Sequence, residues 1–214
     1  MSFGASLDKN KICQLVKNTP FNDFLELNRM AFLDLLPKNS ESRCISIAIH
    51  LIKKYYPNIK WIISFADGCQ CGDGTIYRAS GFYLTGIKEN FNLCKLPNGE
   101  VIHKMTLESN PTRPRPELNY KSYSAINNGT YNFRHYVEVV KGKILKGFQL
   151  RYIYFIDKNK IKDLTVPILP YKMIEELGAG MYKGVKKNAC LVQEQNGDQP
   201  IEDGGATPTN TLQN

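Results

Sequence analysis

The chain has 214 residues, with 28 Lys or Arg against 20 Asp or Glu and a formal charge of +8. With 42% hydrophobic residues, 12 Tyr and 10 Phe, it can build one domain with a real core, which excludes a fibre, a peptide toxin and a mostly unfolded chain. No run approaches the roughly 18 to 20 apolar residues of a bilayer span. The opening Met1-Ser2-Phe3-Gly4 also lacks a basic stretch followed by an apolar one, so a cytoplasmic protein without membrane attachment is expected. Six cysteines, Cys13, Cys44, Cys69, Cys71, Cys94 and Cys190, fit reduced thiols in that setting. Cys69-x-Cys71 would make half a zinc site at best, and otherwise a pair of loop cysteines.

In chain order, residues 7–18 carry a short helix pattern that ends before Thr19-Pro20, and 24–33 read as a strand with Leu25, Leu27, Ala31 and Leu33 on one face, interrupted by Arg29. Asn39 or Ser40 can cap the next helix, whose Ile45, Ala48, Ile49 and Ile52 follow the helical period until Pro57. Residues 61–66 form an apolar run bounded by Asp67-Gly68, the pattern of a strand buried on both faces. A parallel strand, helix, strand unit follows. Residues 74–82 predict one or two helical turns closed by Gly81, with 83–85 as a further strand. Later strands are predicted at 101–107, 134–140 and 148–156, and 164–183 as a final excursion packed on the domain. The fold class is therefore α/β, a central mixed sheet flanked by helices, as one domain over 1–183 and a flexible acidic tail over 184–214.

The charge is unevenly placed. Residues 191–214 hold Glu194, Asp198, Glu202 and Asp203 with no Lys or Arg, so residues 1–190 carry 28 basic against 16 acidic side chains, or +12. Such an excess fits a polyanionic partner, or a basic surface that only keeps the protein soluble. Within Pro111-Thr-Arg-Pro-Arg-Pro116, three prolines favour an extended segment that presents Arg113 and Arg115 to a phosphate backbone. Lys141, Lys143 and Lys146, then Lys158, Lys160 and Lys162, flank turn signals and read as hairpin ends or as further basic contacts.

The helix start at Asn39-Ser40, with Lys38, Ser42 and Arg43 around its first turn, suits a phosphate, because free N–H groups and the helix dipole point at the anion. A capped surface helix has the same composition. The element order, with Tyr77-x-x-x-Gly81-Phe82 in the short helix after the second strand, resembles the acetyl-CoA-binding half of the GNAT acyltransferase fold. That resemblance implies a cleft where the first strand diverges from the second, an acyl-CoA along Phe32 and Leu33, and its phosphates at Lys38, Asn39, Ser40, Ser42 and Arg43. A glycine-rich phosphate loop is absent, and Pro37-Lys-Asn-Ser-Glu-Ser-Arg43 stands in its place.

Leu25-Glu-Leu-Asn-Arg-Met30, Pro37-x-Asn-Ser-Glu-Ser-Arg43, Ser64-Phe-Ala-Asp67, Gly74-Thr-Ile-Tyr-Arg-Ala-Ser-Gly-Phe82 and Phe148-Gln-Leu-Arg-Tyr-Ile-Tyr-Phe-Ile-Asp157, in this order, resemble the Mom family of phage proteins that modify adenine in DNA and shield it from restriction. The resemblance implies an enzyme acting on double-stranded DNA at adenine N6, of the carbamoylmethyl type, with acetyl-CoA or a related acyl-CoA. Such a product is joined through a methylene carbon. Simple thioester attack does not give that bond, and a redox metal such as iron is one agent that would, with no ligand set legible here. A protein or small-molecule amine acceptor, and a non-catalytic DNA-binding accessory protein, are the rival readings.

Tyr77 would protonate a departing thiolate or orient the thioester, or simply pack its helix. Asp67 and Asp73 would accept a proton or orient the amine, or cap the helix at Gly74. Arg29 needs a partner if buried, Glu26 or a cofactor phosphate, and Arg151 and Tyr152 raise the same question within an apolar strand. His50 and His103 sit in no ligand spacing. An adenine must leave the stack to react, and Tyr120, Tyr123, Tyr131, Phe133 and Tyr136, with Lys121, would supply a stacking and phosphate-binding surface unless they are core residues.

Overall fold

The structure, a computed structural model, describes residues 1–33, 35–182 and 184–186. The strands are β1 (Ser2–Gly4), β2 (Phe24–Arg29), β3 (Trp61–Asp67), β4 (Tyr83–Lys95), β5 (Val101–His103), β6 (Lys143–Phe155), β7 (Met181–Tyr182) and β8 (Val185–Lys186). The helices are α1 (Lys9–Cys13), α2 (Ser40–Tyr55), α3 (Thr75–Ala79), α4 (Lys104–Glu108), α5 (Tyr123–Ile126), α6 (Phe133–Val139) and α7 (Met173–Glu176). Among the described residues no helix is long and apolar enough to cross a membrane.

Six strands form one mixed sheet in the order β1-β2-β3-β6-β4-β5, and only β2 and β3 run parallel, joined by α2. Alternation in β3 explains its burial on both faces. Ile62 and Ala66 join Leu27, Ile45, Tyr77, Phe82 and Tyr152 under α2, whereas Trp61 and Ile63 join Phe24, Ile153 and Phe155 on the opposite face. Trp61 stacks on Phe24 at 4.5 Å between ring centroids, and its indole N–H donates to Thr19 Oγ1 at 3.2 Å.

A separate apolar cluster fills the helical excursion between β5 and β6, with Leu107, Leu118, Tyr123, Phe133 and Tyr136 at its centre. Here the expected strands give way to helices. His103 ends β5 by accepting the Met105 N–H at 3.0 Å, so α4 replaces the later part of the strand predicted at 101–107. The strand predicted at 134–140 is α6. Phe133, Tyr136, Val137 and Val140 are all buried at helical spacing, and Asn132 caps the helix through the His135 N–H.

The first helix shrinks to five residues, β2 ends at Arg29, and β4 and β6 each run for 13 residues. The Lys143–Lys146 stretch, read as a hairpin end, pairs instead with the far end of β4. Residues 187–214, most of the expected tail, lie outside the described residues, while Val185 and Lys186 pair with β7.

Candidate active site

β2 and β3 begin as neighbours and then part. Their register runs Phe24 to Trp61, Leu25 to Ile62 and Glu26 to Ile63, and stops there, although β2 continues to Arg29 beside β1 and β3 continues to Asp67 beside β6. At the branch, the buried Ser64 hydroxyl donates to the Leu27 carbonyl at 3.3 Å, in place of a ladder bond. Tyr77, from α3, lies over this fork. Burial pushes its hydroxyl above the ordinary phenol value, and a hydrogen bond with Ser64 pulls it partly back. Ser64 was not singled out from the sequence. The only signal was a hydroxyl inside the apolar run 61–66.

α2 starts beyond the open end of β2. Asn39 has a left-handed backbone (φ 68°) and its side chain makes no cap bond. The Ser40 and Ser42 hydroxyls donate to the carbonyls of Pro37 and Asn39, at 2.7 and 3.0 Å. Neither expected cap is therefore made, and among the described residues no side chain covers the first-turn N–H groups, of which that of Ser40 is bonded to the Pro37 carbonyl at 3.2 Å. Lys38, Asn39 and Arg43 are exposed, with Glu41 the acidic residue of that turn. Phe32 is half-buried, but Leu33 and Leu35 are 73% and 92% exposed, an apolar lip between β2 and α2. Arg29 is exposed on the face of Leu25 and Leu27, so it needs no internal partner.

The loop from Asp67 to Asp73 connects β3 to α3. Both Asp67 oxygens are engaged: Oδ1 accepts the Cys69 N–H at 2.9 Å, and Oδ2 accepts the amides of Asn90 at 3.0 Å and Gln70 at 3.4 Å. Asp67 thus fixes the loop and ties it to β4, a role the sequence could not show because Asn90 is 23 residues away. Asp73 is buried. Its Oδ1 accepts the Thr75 hydroxyl at 2.9 Å and lies 3.5 Å from the Arg78 guanidinium, while its carbonyl accepts the Tyr152 hydroxyl. Tyr152 packs against Tyr77 at 5.3 Å and is pushed well above the phenol range by burial.

Arg151 and Tyr152 were expected at one site, but neighbouring strand residues face opposite ways. Tyr152 lies under α2, whereas Arg151 is held on the other face by Thr85, donating to its Oγ1 at 3.1 Å and its carbonyl at 2.6 Å. Burial lowers the Arg151 pKa.

Past the same loop a cavity of about 1050 Å³ opens, lined by Cys69, Gln70, His103, Arg113 and Arg115 among others. The proline-rich segment does not extend along the surface. It closes on itself through Arg115 N–H to Lys121 O at 3.1 Å and Tyr120 N–H to Arg115 O at 2.9 Å. Arg113 is exposed, but Arg115 is only 9% exposed and donates to the Thr106 carbonyl at 2.7 Å. The Arg115 Nε is buried without a partner among the described residues. Tyr123 is fully buried, so it is a core residue rather than a surface stacking platform. Lys121, Lys141 and Lys143 are exposed. Among the described residues no three His, Cys, Asp or Glu side chains gather closely enough to hold a metal ion.

The fold and site therefore define a mixed α/β protein with a forked parallel strand pair, a helix start that no described side chain caps, and a large cavity whose lining includes Arg113 and Arg115 as well as Glu100 and Glu117. The chain belongs to the Mom protein family, whose profile matches residues 1–173. It is 38% identical over 110 residues to the methylcarbamoylase Mom of Escherichia phage Mu, a match covering 51% of this chain and 44% of that protein.

Proposed function

We propose that this protein is a phage DNA-modifying transferase that alters adenine at N6, in the carbamoylmethyl manner, with acetyl-CoA or a related thioester bound on a GNAT-like scaffold. The observation that carries the reading is the Asp67–Asp73 loop, which meets the β2–β3 fork through Tyr77 and Tyr152 and the large cavity through Cys69 and Gln70. A thioester in the fork and a base in the cavity would meet across that loop. The family membership and the methylcarbamoylase activity named for the phage Mu relative support the same chemistry.

The residues fit an acyl-CoA in three respects. The first turn of α2 offers N–H groups with Lys38 and Arg43 nearby for phosphates. Leu33 and Leu35 offer apolar cover for the flexible arm. Tyr77, kept protonated by burial, can donate a hydrogen bond to the thioester. A bound thioester would supply a two-carbon unit; joining it through its methylene carbon as an amide also requires a two-electron oxidant and a nitrogen source, with the free thiol of CoA as the leaving group.

For the base, Arg113 and Arg115 line the cavity, and their guanidiniums suit the phosphate of an extruded nucleotide. The exposed Lys121, Lys141 and Lys143 would hold the DNA backbone.

Mass spectrometry of nucleosides from DNA of cells making the protein tests the reading. A modified deoxyadenosine is expected, and only unmodified deoxyadenosine, with the protein soluble and folded, would overturn it.

A further inference from the structure

A second cavity, of about 480 Å³, lies on the other side of the wall that bounds the large one. The same two elements serve both. β4 gives Leu93 to the large cavity and Phe91 and Asn92 to the small one, and the β5–α4 junction gives His103 to the first and Lys104 to the second. Phe91 and Asn92 point away because β4 is irregular there: Asn90 pairs with Gly147 and Leu93 with Leu145, three steps against two. That extra residue is a β-bulge, which re-aims the side chains it carries.

The lining has three chemistries. Phe91 and Tyr131 are 43% and 58% exposed. Tyr131 lies parallel to the fully buried Tyr123, 9° between planes and 6.1 Å between centroids, so one face is held against the core and the other is open. Lys104 and Arg134 are cationic. Lys104 lies 3.4 Å from Glu108, whereas the Arg134 guanidinium has no ion pair among the described residues. Asn92 and Asn132 bring amides; Asn132 Oδ1 is already used by the His135 N–H, which leaves its NH₂ as the donor for a ligand.

Fixed aromatic faces for a base, amides for its edge and cations for its phosphates are what one unpaired nucleotide requires, and the volume falls in the range of roughly 300 to 1,000 Å³ for small-ligand sites. The geometry points to the small cavity as a second nucleotide subsite, which takes an unstacked base of single-stranded DNA next to the nucleotide that enters the large cavity. This rests on the DNA-modification reading and adds to it. The enzyme opens more than one base from the stack and holds the strand at two neighbouring points across the β4 wall.

The test is titration of the full-length protein with a single-stranded oligonucleotide carrying the fluorescent base 2-aminopurine. Wild-type protein is expected to quench the base on binding, and the Phe91→Ala, Tyr131→Ala double variant to bind about tenfold more weakly and to lose the quenching. Tyr55→Ala, which removes a 62% exposed tyrosine at the end of α2 and outside the cavity, should change neither. Should Tyr131→Ala lower the melting temperature, Phe91→Ala alone carries the same expectation. Wild-type affinity and quenching in the folded variant would overturn the assignment, as would binding of duplex and single strand by wild-type protein without any quenching. Nucleoside mass spectrometry separates the two readings. Unmodified adenine with variant-sensitive quenching sinks the enzymatic reading alone, and modified adenine with quenching unchanged in the variant sinks the subsite alone.

Discussion

Tyr152 donates its hydroxyl to the carbonyl of Asp73 at 2.5 Å, and its ring occupies the space that a side chain on the intervening turn would need. A Cβ at Gly74 would stand 2.4 Å from that ring, at a backbone φ of +79°. Sheet and loop are thus locked together where β3 hands over to α3.

Gly74→Ala combines this overlap with a left-handed backbone, and should cost about 2–4 kcal/mol in stability. Thermal or denaturant unfolding reads this directly. Tyr152→Phe removes only the hydroxyl and leaves one buried carbonyl without its donor, so it should cost about 1–2 kcal/mol. Equal stability of Gly74→Ala and wild type would show that the loop relaxes freely.

Tyr77→Phe keeps the ring contacts with Phe82 and Tyr152, at 5.4 and 5.3 Å, while removing the hydroxyl over the fork. Modification of DNA should fall by about 100-fold or more, with stability changed by no more than about 1 kcal/mol. Full activity in this variant would reduce Tyr77 to a packing residue.

Burial raises the pKa of Tyr77, Tyr136 and Tyr152 above the ordinary 10.0. The folded state then holds these protons more tightly than the unfolded chain does. Their contribution is complete below pH 10 and is lost as the pH rises through and beyond it. The denaturation midpoint should fall steadily above about pH 10, and Tyr136→Phe should reduce that fall. A midpoint that stays flat to pH 11 would contradict the burial of these hydroxyls.

Arg113→Ala and Arg115→Ala should behave differently despite their shared loop. Removing the exposed Arg113 should weaken DNA binding, reduce the slope of log affinity against log salt by about one, and leave the melting temperature unchanged. Removing Arg115 takes away the donor to Thr106 and should destabilise the fold by about 2–3 kcal/mol. Identical losses from both would mean that the loop acts only as structure.

Arg43→Ala should weaken acyl-CoA binding, measured by calorimetry, by about threefold to tenfold, since an exposed ion pair with a phosphate is worth about 0.2–1 kcal/mol and a charge-assisted hydrogen bond somewhat more. DNA affinity should not change. The reverse pattern would place the α2 start on the DNA side.

The β2, α2, β3, α3 succession was legible because its signals are local. Ile45 and Ile52 repeat at helical spacing, the 61–66 run is continuous, and Gly81 ends the short turn. The helical excursion was not legible, since Tyr136, Val137 and Val140 favour strands intrinsically and become helical only by packing with Leu107 and Leu118. At the site, the residue types were readable and their orientations were not. Arg151 turns away from Tyr152, Asp67 ties its loop to Asn90 of β4, and Arg115 folds inward to Thr106. Each of these depends on a partner that only the tertiary fold brings near.

Trp61, the single tryptophan of the chain, sits on Phe24 at the first pair of the β2–β3 ladder, the closed end of the fork. Its fluorescence therefore reports on the closed end of the fork without any added label. A ligand that wedges the strands further apart would disturb the stack and its bond to Thr19, while one that settles between already separated strands would leave the emission where it was.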